Sequence, residues 1–191
     1  MKSIYAVALA AALLAGCAPF LTQSPGHGLS PVNAISEGGD SHLILFGYDV
    51  VAYFTDGKPV KGDPAIKTVY KDVTFRFANA EHKAMFEKSP EKYIPQFGGY
   101  CSNGIAYAIP WGGDADKFRI IDGKLYMFGG QGSLDAFMLD PKHNMELANK
   151  YWNEEVSGSN AFIQRSKRLI LRVPHYKSGK ELAEEVATRK K

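Results

Sequence analysis

Three side chains, His82, Met85 and Cys101, carry the kinds of atom that a soft metal ion prefers. His82 stands three residues before Met85 and four before Phe86, so on a helix these residues share a face. If the fold brings Cys101 alongside, an imidazole, a thioether and a thiolate make an N/S set suited to cuprous copper. The competing reading is structural: a histidine beside a core aromatic is hydrogen-bonded, a methionine fills space, and a lone cysteine is buried and inert. One helix plus one distant cysteine is also a less specific pattern than paired cysteines. As a nucleophile, Cys101 would need a base within hydrogen-bond reach. No Gly-x-Ser-x-Gly, His-Glu-x-x-His or phosphate-loop signature occurs, so the expectation is a protein without catalysis. The run Gly129 to Ser133 could hold an anion on backbone amides, although a strand-to-helix turn is its commoner use. His27, His42, His143 and His175 have no ligand partner at a recognisable spacing.

The elements that must position these residues lie between Val69 and Cys101. Val69, Val73, Phe75 and Phe77 read as a strand, being β-branched or aromatic and, in the last three, alternating with polar Thr74 and Arg76. From Ala78 the period becomes helical, with Asn79 as N-cap and Pro90 as the stop. Such a unit can bury Phe75, Phe77 and Phe86 together, with Tyr93 and Phe97 returning to the same cluster.

These residues resemble the YHS domain family, whose pattern is Tyr-x-Gly-x-x-Tyr-x-Phe-Cys-Ser-x-x-Cys-x-x-x-Phe followed by Pro and Tyr. The matching run here is Tyr70, Phe75, Phe77, Phe86, Pro90 and Tyr93, with GYDVVAYF upstream (47–54) and GGYC downstream (98–101) similar to a longer, envelope-associated branch. The resemblance spans roughly 47–155. It implies a small strand-helix fold and binding of a metal ion such as copper through the two cysteines of the pattern. At those two positions this sequence has Ala78 and His82 instead.

The N-terminus reads as an export signal. Lys2 supplies the positive start, Ile4 to Leu14 an apolar run, and small residues precede Cys17. That run is shorter than the roughly 20 residues a bilayer span needs. Leu14-Ala15-Gly16-Cys17 resembles a bacterial lipobox, in which the thiol receives diacylglycerol and cleavage follows just before it; several acyl chains then anchor the protein stably. A plain secretory signal cut elsewhere is the alternative. Ala18, in place of an aspartate, implies an outer-membrane, periplasm-facing anchor. The expected organisation is a signal peptide over 1–16, a Pro/Gly/Ser-rich tether over 17–42, a YHS-like domain over 43–156 and a basic helical tail over 157–191.

Within the domain, Tyr48 to Phe54 and Ile105 to Ile109 are expected as strands, with a turn at Thr55 to Lys58. Phe118 to Ile121 and Lys124 to Phe128 flank Asp122-Gly123, the strongest hairpin signal in the chain. An internal repeat follows without a gap: Phe75, Phe77, Phe86 and Pro90 correspond to Tyr126, Phe128, Phe137 and Pro141. Ser133 then falls where the first copy has His82. The fold class expected is α+β, a strand-helix unit followed by a second, degenerate one and a helical tail. Leu134 to Val156 is helical, divided at Pro141.

Charge is uneven. From Arg165 onward nine Lys or Arg stand against three acidic residues, while the whole chain is only +3. A helix starting after Ser159 or Asn160 puts Phe162, Ile163, Leu169, Ile170 and Val173 on one face and Arg165, Arg168 and Arg172 on the other. Its ordinary use is to pack the apolar face on the domain and solvate the charges. The alternative is contact with anionic headgroups or an acidic envelope partner. Export makes nucleic acid an implausible partner. Ser178 and Glu181 form a capping box for a last helix. Two functional readings follow: a lipid-anchored envelope protein binding copper through His82, Met85 and Cys101, or a non-catalytic envelope interaction module with no metal.

Overall fold

The computed structural model describes residues 28–189; Cys17, the signal segment and His27 lie outside them. Within this range the fold is α+β. Strands β1 (Ala34–Glu37), β2 (Asp40–Ile44), β3 (Asp63–Tyr70) and β4 (Val73–Phe77) form one sheet in the order β1-β2-β4-β3. Strands β5 (Asp114–Ile121) and β6 (Lys124–Phe128) form a separate hairpin. The helices are α1 (Ala52–Thr55), α2 (Ala80–Lys88), α3 (Pro90–Tyr93), α4 (Ser102–Ile105), α5 (Gln131–Phe137), α6 (Pro141–Tyr151), α7 (Ala161–Ile170) and α8 (Gly179–Arg189).

The internal repeat is present in the backbone. The β3–β4 register, Asp63 to Phe77, Lys67 to Arg76, Thr68 to Phe75, Val69 to Thr74 and Tyr70 to Val73, recurs 51 residues later in β5–β6, bulge included. Both hairpins turn on two residues of positive φ, Lys71-Asp72 in one and Asp122-Gly123 in the other, the backbone a two-residue hairpin of this twist requires. Each is followed by a helix, α2 and α5. Upstream, three consecutive left-handed residues, Leu45-Phe46-Gly47, recur as Phe97-Gly98-Gly99. Asp49 N–H donates to Val60 O and Cys101 N–H to Trp111 O, both at 2.8 Å. The duplication therefore covers far more of the chain than the aromatic positions indicate.

The aromatic residues expected inside are inside. Phe75, Phe77 and Phe86 belong to one core cluster with Tyr93, and Tyr126, Phe128 and Phe137 to a second with Tyr151; Phe97, expected in the first, lies in the second, its ring 5.9 Å from that of Tyr126. Strand β6 is the wall between them: Leu125 and Met127 face the first cluster, Tyr126 and Phe128 the second, as the two-residue period of a strand demands. Strand β4 is likewise buried on both faces, its Arg76 held by Asp40 and Glu37 at 2.8 Å. Asn79 caps α2 by accepting from His82 N–H at 2.8 Å. The Ser178–Glu181 capping box forms in both directions.

Four expectations need correction. The stretch opening at Val69 is two strands, because Lys71 and Asp72 reverse the chain. Tyr48 to Phe54 is a turn leading into α1, not a strand: Asp49 Oδ1 accepts from Val51 N–H at 2.8 Å and seeds a helical turn. Ile105 to Ile109 leaves α4 as a turn, with Ala108 at positive φ. The folded body also starts well before Leu43, since Val32 and Ala34 are buried and the Asn33 amide donates to Gly99 O at 3.1 Å and Gly113 O at 3.3 Å.

Candidate functional site

The duplication places two side chains in equivalent pockets. In the first half, Asp49 is fully buried and saturated: Oδ1 takes the N–H groups of Val51 and Ala52, and Oδ2 takes that of Ala78 at 2.8 Å. Oδ2 also lies 2.7 Å from His82 Nδ1, and His82 Nε2 lies 3.2 Å from the Thr55 hydroxyl. Four donors around one carboxylate replace the water it loses on burial.

In the second half Cys101 occupies the place of Asp49. Its sulfur receives the backbone N–H groups of Asn103, Gly104 and Gly129 and a hydrogen bond from Ser133. These correspond to Val51, Ala52, Ala78 and His82 of the first half. Burial pushes the Cys101 thiol up, and these donors only partly oppose it. Cys101 is among the residues lining a cleft of about 370 Å³, with Tyr107, Trp111, Tyr176 and Lys177.

His82, Met85 and Cys101 are thus partnered separately. His82 faces Asp49 and Thr55, Met85 packs against the first core cluster, and Cys101 sits in the second half against Gly129 and Ser133. The contacts of each are therefore with different neighbours, and none of the three bonds another. Among the described residues no group of three or more His, Cys, Asp or Glu is arranged to hold a metal ion. Asp49, His82 and Thr55 have the connectivity of a hydroxyl-activating relay. The nearby N–H groups that would have to stabilise a developing oxyanion are, however, spent on Asp49 itself. His175 is structural, its Nε2 lying 2.9 Å from Ala106 O and its ring stacked between Tyr107 and Tyr151. His42 Nδ1 lies 3.1 Å from Asp72 O.

The second feature is α7, which faces the opposite way from the ordinary expectation. Its polar side is the one that packs. Gln164 is buried and its amide donates to Ala108 O and Glu155, both at 3.1 Å. Arg165 donates to Pro110 O at 2.8 Å and lies 5.0 Å over the Trp111 ring. Lys167 and Arg168 both bond Glu155. Burial pushes the Glu155 carboxyl up, but hydrogen bonds from Arg168, Lys167 and Gln164 outweigh it and hold it at about 2. The apolar side is left outward: Ile170 is 81% exposed, Ile163 65% and Leu171 62%, with Phe162 and Leu169 also exposed. Of the apolar set read from the sequence only Val173 is buried.

The sequence surroundings of Asp49, Thr55 and Glu155 do not single them out. Asp49 was accessible through the repeat, since extending the alignment upstream with a one-residue insertion sets it against Cys101. No local signal marks Glu155 as the anchor of α7.

Comparison with protein-family models, with curated proteins and with solved structures finds no match to this chain. Among the described residues no helix is long and apolar enough to cross a membrane.

Proposed function

We propose that this chain is a lipid-anchored envelope module that acts by binding, not catalysis, with the outward apolar face of α7 as its binding surface. The observation that carries this reading is the orientation of α7. Five large apolar residues on one short segment are left in water while a buried glutamine and two arginines hold the other side down. Isolated exposed apolar residues are ordinary, but a contiguous set marks an interaction surface. Anchoring through Cys17 at the outer membrane, facing the periplasm, rests on the lipobox resemblance, and the YHS-like scaffold on the motif at 70–93. The copper reading lacks a shared set of ligands, and the buried pockets at Asp49 and Cys101 serve to close turns.

The test is protection of α7 in its native setting. Ile170→Cys in the full chain, with exposed Lys58→Cys as the reference for access, is alkylated with a small maleimide that crosses the outer membrane, in envelopes and after detergent extraction, and each rate is taken relative to that of Lys58→Cys. A rate at least tenfold slower in envelopes is expected. Equal rates would remove the reading.

A further inference from the structure

Building on that reading of α7, we infer that the surface it binds is the bilayer carrying the chain's own anchor, an anionic lipid surface, and not a second protein. Three observations converge on it. The first is where the chain enters the folded body. Gly158 N–H donates to Ser30 O at 3.0 Å, so the beginning of the described chain lies against the turn that starts α7. Ten residues lie between Cys17 and Gly28, and the eleven steps from one to the other can span at most about 40 Å. A lipid on Cys17 therefore keeps the first turn of α7 within that distance of the membrane, and the helix itself is only about 15 Å long.

The second observation is charge. Residues 157 to 180 contain six Lys or Arg and no acidic residue. Arg172, just past the end of the helix, is exposed although its guanidinium lies 4.5 Å over the Tyr176 ring, and Lys177 and Lys180 follow it, exposed as well; long cationic side chains of this kind reach headgroups while their stems lie on hydrocarbon. An anionic leaflet attracts such a segment over about a Debye length.

The third is the shape of the apolar set. Phe162, Ile163, Leu169 and Ile170 lie on one side of α7, and Leu171 continues the patch past its end. The outward face of a single helix is convex, and a convex face does not by itself supply the pockets that hold a protein hot spot. A convex helix face with a basic border is the geometry of a helix lying in the plane of a bilayer surface. The acyl anchor and α7 then form two attachments, and the second is close to intramolecular once the first is made.

The experiment uses the acylated full chain in vesicles of phosphatidylethanolamine with 30% phosphatidylglycerol. A nitroxide is placed on Ile170→Cys and, in a separate sample, on Lys58→Cys as an exposed control; the parent chain, whose remaining thiol is buried, reports background labelling. Collision with oxygen, enriched in lipid, is compared with collision with a water-soluble nickel chelate. The label at position 170 is expected to favour oxygen by at least fivefold relative to the control. Nickel access equal to the control overturns the inference. So does a label shielded from both probes, which would mean that copies of the chain cover the face. Protection of Ile170→Cys in envelopes together with nickel access in these vesicles would leave the binding reading standing and assign α7 to a protein partner.

Discussion

Removing the charge of Glu155 tests the physical basis of the α7 orientation. Its carboxyl accepts from Gln164 and Lys167 at 3.1 and 3.0 Å and from Arg168 at 2.9 Å through Nε, with a second contact to the Arg168 guanidinium. Glu155→Gln keeps the shape and loses the charge. A carboxyl held at about 2 against an ordinary 4.5 corresponds to about 3 kcal/mol of stability at neutral pH. Solvent around Lys167, whose side chain is 46% exposed, reduces this to about 2 kcal/mol. Because the folded-state value is depressed, the contribution is fully present above the unfolded value near 4.5 and is lost as pH falls towards 2. Urea unfolding of parent and variant at pH 7 should differ by about 2 kcal/mol, and roughly two thirds of that difference should be gone by pH 3. Trypsin cleavage after Arg168 should accelerate in the variant at pH 7, since α7 is the element released. A difference under about 0.5 kcal/mol at pH 7, with unchanged cleavage, would refute the claim that Glu155 holds α7 polar side down.

Other parts of the structure give sharp expectations. Asp49→Ala strands three backbone N–H groups and the His82 ring, and should cost at least about 3 kcal/mol in urea unfolding, whereas Asp49→Asn, which keeps an acceptor, should cost less; equal and small losses would contradict the assignment. The Cys101 thiol, buried and pushed up, should react with a disulfide reagent at neutral pH at least about 100-fold more slowly in the native chain than in urea. Gly62→Ala would bring a Cβ to 2.5 Å from the Arg76 carbonyl carbon, so a loss of about 1–3 kcal/mol is expected, and a neutral result would show that β4 shifts freely. Phe86→Ala and Phe137→Ala, equivalent residues in different clusters, should each cost about 3–5 kcal/mol; near-additive losses in the double variant would confirm that the clusters respond separately.

The sequence by itself determined what depends on local pattern and local capping. Alternation of Val73, Phe75 and Phe77 specified a strand, Asp122-Gly123 a hairpin turn, and Asn79 and the Ser178–Glu181 pair the starts of α2 and α8. The duplication was legible because its aromatics recur at fixed spacing, and their burial followed from their size and apolarity. The segment from Tyr48 to Phe54 misled because β-branched residues buried on all sides lose the period that separates strand from helix; the buried Asp49 decided it. Only the tertiary structure decided that His82 pairs with Asp49, that Cys101 takes the equivalent place in the other half, and that α7 turns its apolar side outward. The first and last of these outcomes depend on contacts across 33 and 13 positions of chain, from His82 to Asp49 and from Arg168 to Glu155, and the second on a strand register that repeats at an offset of 51. An amphipathic pattern specifies that a helix has two faces. Which face is covered depends on what the rest of the fold presents, and here Glu155 and the carbonyls of Ala108 and Pro110 present hydrogen-bonding groups.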